Sequence, residues 1–100
     1  MKVLIIDDER AIRRALKEIL EYENCQVLEA ENGKEGLELI RSNSLDVIFC
    51  DIKMPLVDGM ELLEQVQGEG NEVPIVMISG HGTLETAVQA IKIGAFDFIE

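Results

Sequence analysis

Residues 3–9 read Val3-Leu-Ile-Ile-Asp-Asp-Glu9, a solid apolar run that passes directly into three acids. A short, uninterrupted run rich in β-branched residues is typical of a strand that is buried on both faces, as the strands of parallel sheets are. The segment therefore predicts a buried parallel strand that delivers carboxylates to the edge where it ends.

The rest of the chain alternates between apolar runs of this kind and helical periodicity. Further runs predict strands at 25–28, 47–50, 74–78 and 95–99. Apolar residues at helical spacing predict helices at 11–20, at 33–40, from Met60 to the glycines at 68 and 70, and from Leu84 to a capping Gly94. In the last of these, Leu84, Ala87, Val88 and Ile91 share one apolar face. The order βαβαβαβαβ predicts an α/β fold, a doubly wound parallel five-stranded sheet with helices on both faces.

Length and composition limit the possible classes of protein. One hundred residues, 47% of them hydrophobic, are enough for one domain with one core. A net charge of −11 repels phosphate, so we expect this segment to bind neither nucleic acid nor membrane. The longest apolar stretches are about five residues, against the ~20 that span a bilayer, and the start is not arranged as a signal peptide. Cys25 and Cys50, each within a predicted strand, form no metal motif. We expect a cytoplasmic protein with reduced thiols.

Carboxylates are expected to gather at one edge of the sheet. Asp7, Asp8 and Glu9 follow the first strand, and Asp51 follows the strand predicted at 47–50. In open parallel sheets, ligands bind beyond the carboxyl ends of the strands, where the strand order reverses. Carboxylates a few ångströms apart raise one another's pKa, and a hard cation such as Mg²⁺ with oxygen ligands relieves that conflict. Ser79 follows the strand predicted at 74–78 and adds a hydroxyl group.

Each of these residues has a plainer interpretation when it is taken singly. The acids at 7–9 would serve as an N-cap and as the first turn of a helix, and Asp51 would serve in a turn. Their joint placement, with Ser79 at a third strand end, favours a cation site. The acids also argue against a flavin or nucleotide phosphate, which would need glycines and backbone donors there. His81, the only histidine, is interpreted as a loop residue, and Phe96 as a core residue.

Four segments carry a resemblance that runs in order and in register from Met1 to Glu100. They are Val3-Leu-Ile-Ile-Asp-Asp-Glu9, Asp51-Ile-Lys-Met-Pro-Leu-Val-Asp-Gly59, Ile78-Ser-Gly-His-Gly-Thr83 and Gly94-Ala-Phe-Asp-Phe-Ile-Glu100. The chain resembles the receiver domains of bacterial two-component response regulators, and its last two segments look most like receivers of enhancer-binding transcriptional activators. The resemblance implies a flavodoxin-like strand order 2-1-3-4-5 and a role in a phosphorelay that regulates transcription.

The resemblance also implies a metal site and a phosphoacceptor. Asp51 would accept a phosphoryl group from a sensor histidine kinase. Mg²⁺ would be bound by Asp8, by Asp51 and by the backbone carbonyl of Lys53, with Asp7 positioning it through water. The chain would then be a switch that assists its own phosphorylation and dephosphorylation rather than an enzyme.

The same resemblance assigns the residues that respond to phosphorylation. Ser79 would donate a hydrogen bond to the phosphoryl group, and Phe98 would be the aromatic switch residue. The family's next residues would be a Lys-Pro pair, whose lysine contacts the phosphoryl group, and then a fifth helix. We therefore expect residues 1–100 to be a receiver domain truncated before its final helix. Apolar surface left open beside the last strands costs about 25 cal/mol per Å², so a homodimer is a possible partner.

Two other functions stay open on the sequence. An aspartyl-nucleophile phosphohydrolase usually carries a second acid two residues after the nucleophile, and that position is Lys53 here. A receiver-like interaction module that never accepts phosphate is disfavoured by the full set Asp7, Asp8, Asp51 and Ser79. The absence of the family's lysine from residues 1–100 favours it.

Overall fold

Five strands and four helices alternate along residues 1–80 and 83–100, which are the residues that the structure, a computed structural model, describes. They are β1 (Lys2–Ile6), α1 (Arg10–Tyr22), β2 (Gln26–Ala30), α2 (Gly33–Ser42), β3 (Val47–Asp51), α3 (Gly59–Gly68), β4 (Ile75–Ile78), α4 (Leu84–Ile93) and β5 (Asp97–Ile99). The predicted βα alternation is confirmed. The interpretation of His81 lies outside the described residues.

All neighbouring strands of the sheet are parallel, in the order β2-β1-β3-β4-β5. The strand order expected from the resemblance is therefore confirmed, and it reverses between β1 and β3. Ile6 is the partner of Cys50 across that reversal, so Asp7 and Asp51 lie one residue further along neighbouring strands. Asp51 in turn is the partner of Ile78, which places Ser79 at the same edge.

The main core lies between the sheet and the helices α2 and α3. Alternation along β1 and β3 turns Leu4, Ile6, Ile48 and Cys50 into this core, where they are fully buried. The helices contribute Leu37, Ile40, Leu62, Leu63 and Val66. Helix α1 covers the other face of the sheet, over Val3 and Ile5, and none of its own residues is fully buried.

Three of the helices begin at a side chain that caps a backbone amide. Asn32 accepts a hydrogen bond from the amide of Glu35 in α2, Asp58 from that of Glu61 in α3, and Thr83 from that of Thr86 in α4. Such caps satisfy amides that have no partner within the helix, so they define where each helix starts. Helix α4 ends at Gly94, with φ of +134°, which confirms its role as a cap. No helix of the described residues is long and apolar enough to cross a membrane.

The apolar face that the sequence predicts for α4 is largely exposed. Leu84, Val88 and Ile91 are 82%, 44% and 49% exposed, and Ala90 is the buried residue of the helix. Periodicity shows that apolar residues share a face but does not show what that face contacts. Phe96 is 72% exposed in the segment before β5, so its interpretation as a core residue is wrong.

Several predicted strand limits differ from the structure by one or two residues. Strand β2 begins after Cys25 and continues to Ala30, so this cysteine lies outside it. Asp51 is the last residue of β3 rather than the first residue after it. Strand β5 begins only at Asp97. Strand ends are set by pairing with a neighbour, which an apolar run does not reveal.

Candidate functional site

The acids of β1 and β3 meet at the carboxyl edge of the sheet. Asp7 and Asp8 come from the β1–α1 loop and Asp51 from the end of β3, and one carboxylate oxygen from each lies within 4.8 Å of the others. Asp7 is buried, Asp51 is half-buried and Asp8 is exposed. The expectation that two strand ends bring these acids together is confirmed, and the arrangement could hold a metal ion.

The acids line a small cleft of about 180 Å³ at this edge. Lys53 and Ser79 also line it, as does Ile12 from the start of α1. Phe98 is not among the lining residues: it lies in β5 as the partner of Met77, half-buried against the core. The cleft thus brings together five of the six residues singled out from the sequence, namely Asp7, Asp8, Asp51, Lys53 and Ser79. Phe98 lies outside it.

Hydrogen bonds fix the buried members of the cluster. Oδ1 of Asp7 accepts from the amide of Glu9 at 2.8 Å, and its amide donates to the carbonyl of Ala30 at 3.1 Å. Oδ1 of Asp51 accepts from the amide of Ile52 at 2.8 Å. Helix α1 begins after Glu9, which makes no side-chain cap, and its first turn contains no acid. The plainer interpretation of the acids at 7–9 as helix caps therefore does not hold.

Arg13 supports the site and was missed by the sequence reasoning. Its Nη1 donates to the backbone carbonyl of Asp7 at 2.7 Å, and its Nε lies 3.4 Å from Oε1 of Glu29 in β2. The side chain is only 13% exposed, and its guanidinium links α1 both to the residue that follows β1 and to β2. The only signal in the sequence is an arginine in the first turn of a helix that follows three acids.

The electrostatics of the cluster disfavour the ionised acids. Burial, and then the charge of Asp7, raise the pKa of Asp51 to about 6 from its ordinary 3.8, although the amide of Ile52 opposes the change. Burial also raises the pKa of Asp7, an effect that the amide of Glu9 opposes and the charge of Asp8 reinforces. Carboxylates whose ionised forms are destabilised in this way are relieved by a cation.

The donor set fits a hard divalent cation. Its side-chain donors are carboxylate oxygens, and the cleft is open at the exposed Asp8, so that water and further oxygens can complete a coordination shell. Mg²⁺ is characteristically bound by one or two carboxylates while it keeps several waters. The charge and the ligand type therefore agree with the Mg²⁺ expected from the sequence.

Cys50 directly precedes the phosphoacceptor candidate Asp51 in β3. It is fully buried, and its Sγ lies 3.3 Å from the carbonyl oxygen of Asp51. Burial raises the pKa of the thiol well above its ordinary range. Cys50 is therefore a packing residue of the core.

Fold and cleft together define a doubly wound parallel α/β domain with an acidic, cation-compatible edge at its topological switch point. Residues 3–100 match the response regulator receiver domain family, and the chain belongs to that family. The family named from the sequence is thereby confirmed.

Relatives and solved structures agree with this assignment. The chain is 46% identical over 100 residues to the nitrogen assimilation regulatory protein NtrX of Azorhizobium caulinodans, covering 98% of this chain and 22% of that protein. It is 36% identical to the C4-dicarboxylate transport transcriptional regulatory protein DctD of Pseudomonas aeruginosa, covering 99% and 21%. The receiver domain of the Francisella response regulator 1452 superposes with a TM-score of 0.94 at 32% identity, covering 99% and 83%. The chain thus spans about a fifth of the length of the two regulators.

Proposed function

We propose that this receiver accepts a phosphoryl group on Asp51 from the phosphohistidine of a sensor histidine kinase. The observation that carries the proposal is the convergence of Asp7, Asp8 and Asp51 within 4.8 Å at the switch point of a receiver fold. Of these three acids, Asp51 ends the strand β3 and shares the cleft with Ser79 and Lys53. The chain would act as a switch that is modified and reset, rather than as an enzyme that turns over a substrate.

Mg²⁺ is the proposed ion. Asp8, Asp51 and the backbone carbonyl of Lys53 would hold it, and Asp7 would position it through water. When bound, the ion offsets the repulsion between the carboxylate and an incoming phosphoryl group and stabilises the charge of the transition state.

The transfer itself follows from the orientation of Asp51. The amide of Ile52 engages Oδ1, which leaves Oδ2 as the atom that attacks phosphorus. A bond forms between Oδ2 and phosphorus as the bond from phosphorus to the histidine nitrogen breaks, and the product is an acyl phosphate. The hydroxyl of Ser79 would donate a hydrogen bond to a phosphoryl oxygen, since it lies at the same edge of the sheet.

The proposed output runs through the surface of α4 and β5. Movement of Ser79 toward the phosphoryl group would open space next to β4, into which the half-buried Phe98 of β5 can turn. The apolar residues Leu84 and Val88 of α4 are already exposed on this side and would present the change to a partner. Because the relative DctD is named as a transcriptional regulatory protein, we propose transcription as the controlled process, in the cytoplasm and without direct DNA binding by this segment.

Phosphorylation with acetyl phosphate and Mg²⁺, followed by intact-mass and peptide mass spectrometry, tests the proposal. The expected result is one added phosphoryl group on the peptide that contains Asp51, none in Asp51→Asn and none with EDTA. Asp97→Asn is the matched control. Oδ1 of Asp97 also accepts a hydrogen bond from the amide of the next residue, Phe98, at 2.8 Å, and Asp97 is exposed and away from the cleft.

Each contrary outcome has a definite meaning. Label retained in Asp51→Asn would refute the assignment of the phosphoacceptor. A folded chain that takes no label from acetyl phosphate or from phosphorylated kinases would favour the interaction module. Sustained release of phosphate from a phosphomonoester would favour the phosphohydrolase.

A further inference from the structure

The loop between β3 and α3, residues 52–58, contains a tight turn in an uncommon conformation. Leu56 has φ of +72°, in the left-handed region that residues with a side chain rarely adopt. The amide of Val57 donates to the carbonyl of Pro55 at 3.0 Å, which closes a three-residue turn around Leu56. Leu56 is 72% exposed, so its own packing does not explain the turn. Such a conformation persists where the surroundings hold it in place.

The end of this loop that leads into α3 is held beside the cluster of acids. The amide of Gly59 donates to the carbonyl of Ile52 at 2.7 Å. A Cβ atom at Gly59 would lie 2.2 Å from the carbonyl oxygen of Asp51, so the two backbones touch. The end of the loop therefore packs against the backbone of Asp51, the residue that precedes the loop.

The turn itself is held by a residue from a different part of the sequence. Gly33, the buried first residue of α2, approaches Val57 so closely that an added Cβ would lie 2.0 Å from its carbonyl oxygen and 2.8 Å from its carbonyl carbon. Gly33 is not among the residues with positive φ, so alanine suits its backbone conformation. Alanine is also the better helix former. Glycine is required here for space alone.

We propose that Gly33 is a positioning residue for the metal and phosphoryl site, an inference that rests on the proposed function. Its missing side chain lets the start of α2 hold the carbonyl of Val57, and with it the whole turn. The loop so placed brings Lys53 to the cleft and directs the amide of Ile52 at Oδ1 of Asp51. A methyl group at Gly33 would displace the turn, because a backbone carbonyl cannot swing aside as the end of a side chain can.

Gly36 provides a matched control on the same helix. It is also buried, one turn further along α2, and an added Cβ would lie 2.7 Å from Cδ1 of Ile6. That contact is with the far end of a flexible core side chain and not with the loop. If Gly33 were merely a packing residue, Gly33→Ala and Gly36→Ala would lower stability and do nothing specific to the site.

The experiment compares Gly33→Ala and Gly36→Ala with a reference chain that keeps both glycines, by ¹H–¹⁵N NMR and thermal unfolding. All three chains carry Gly68→Ala, since this exposed end of α3 has nothing within 4 Å of an added Cβ and the change raises stability. In the metal-free state, Gly33→Ala should shift the amide resonances of Ile52, Lys53 and Val57, and Gly36→Ala should leave them in place. In Mg²⁺ titrations, Gly33→Ala should raise Kd by roughly ten-fold or more, the range seen when residues that orient metal ligands are changed.

The outcomes separate this inference from the proposed function. A reference chain that binds no Mg²⁺ and takes no label would overturn both. Normal Mg²⁺ affinity in a folded Gly33→Ala chain would overturn the inference alone. An equal loss of affinity in Gly36→Ala would also overturn it. The same holds if Gly33→Ala fails to fold while Gly36→Ala folds. Each result would mean that Gly33 stabilises the fold and does not position the loop.

Discussion

Replacing Asp51 with asparagine should stabilise the metal-free protein at neutral pH. In the folded protein the pKa of Asp51 is raised to about 6, against 3.8 as its ordinary value in an unfolded chain. Between these values the folded state binds the proton more tightly, so stability is greatest below the unfolded pKa and falls as pH rises through about 6. Asparagine has no charge to bury and does not incur this loss.

The size of the effect follows from the pKa difference. The difference between a pKa of 3.8 and one of about 6 corresponds to about 3 kcal/mol, and because Asp51 is partly open to solvent we expect about 1–2 kcal/mol in practice. In a domain of this size each 1 kcal/mol changes Tm by about 4–8 °C. The substituted protein should therefore melt at least about 4 °C higher at a pH of about 7.5.

Thermal unfolding followed by circular dichroism in EDTA measures the difference. At a pH of about 4.5, roughly a third of the gain should remain, because much of the carboxyl group is then protonated when folded. Mg²⁺ should narrow the gap at neutral pH, since it stabilises the chain that keeps the ligand. Asp97→Asn should show no comparable gain. Equal melting temperatures at neutral pH, or the same gain at both pH values, would refute the electrostatic reasoning.

Further predictions concern packing, capping and association. Leu62→Ala should cost about 2–5 kcal/mol in urea unfolding because the side chain is fully buried, whereas Leu84→Ala, at an 82% exposed position, should change stability by less than about 0.5 kcal/mol. Asn32→Ala should cost about 1 kcal/mol by removing the cap of α2, and Asn32→Asp should restore it. Sedimentation velocity should show association that grows with concentration and is weakened by Phe96→Lys, since this aromatic ring is 72% exposed; a monomer at every concentration would contradict it.

Much of the fold could be predicted because the strands β1 and β4 are buried on both faces. Continuous apolar runs such as Val3–Ile6 predict such strands directly, and the helical periodicity of the segments between them predicts the helices. The order of the strands required the family resemblance, since an apolar run does not identify its neighbour. The exposure of α4 could not be predicted for a related reason: spacing places Val88 and Ile91 on one face, but only tertiary packing decides which side of a helix is covered.

The site was predictable as far as it depends on strand ends. Parallel strands deliver the residues after them to one edge, and the pairing of β1 with β3 brings Asp7 close to Asp51. The supporting residues were not predictable, because their contacts join distant segments. Arg13 looks like one of many charged residues on a solvated helix, and Gly33 looks like an ordinary residue at the start of a helix. Their contacts with Asp7 and Val57 exist only in three dimensions.

The two cysteines give this tryptophan-free chain a pair of internal labels. Cys50 is fully buried in the central strand β3, so an alkylating reagent can reach it only when that strand separates from its neighbours. Cys25 is only half-buried, and smaller motions suffice to expose it. The ratio of their modification rates would thus distinguish opening of the whole sheet from local opening at its edge. An ion or a modification that stabilises the structure around Asp51 should slow the reaction of Cys50.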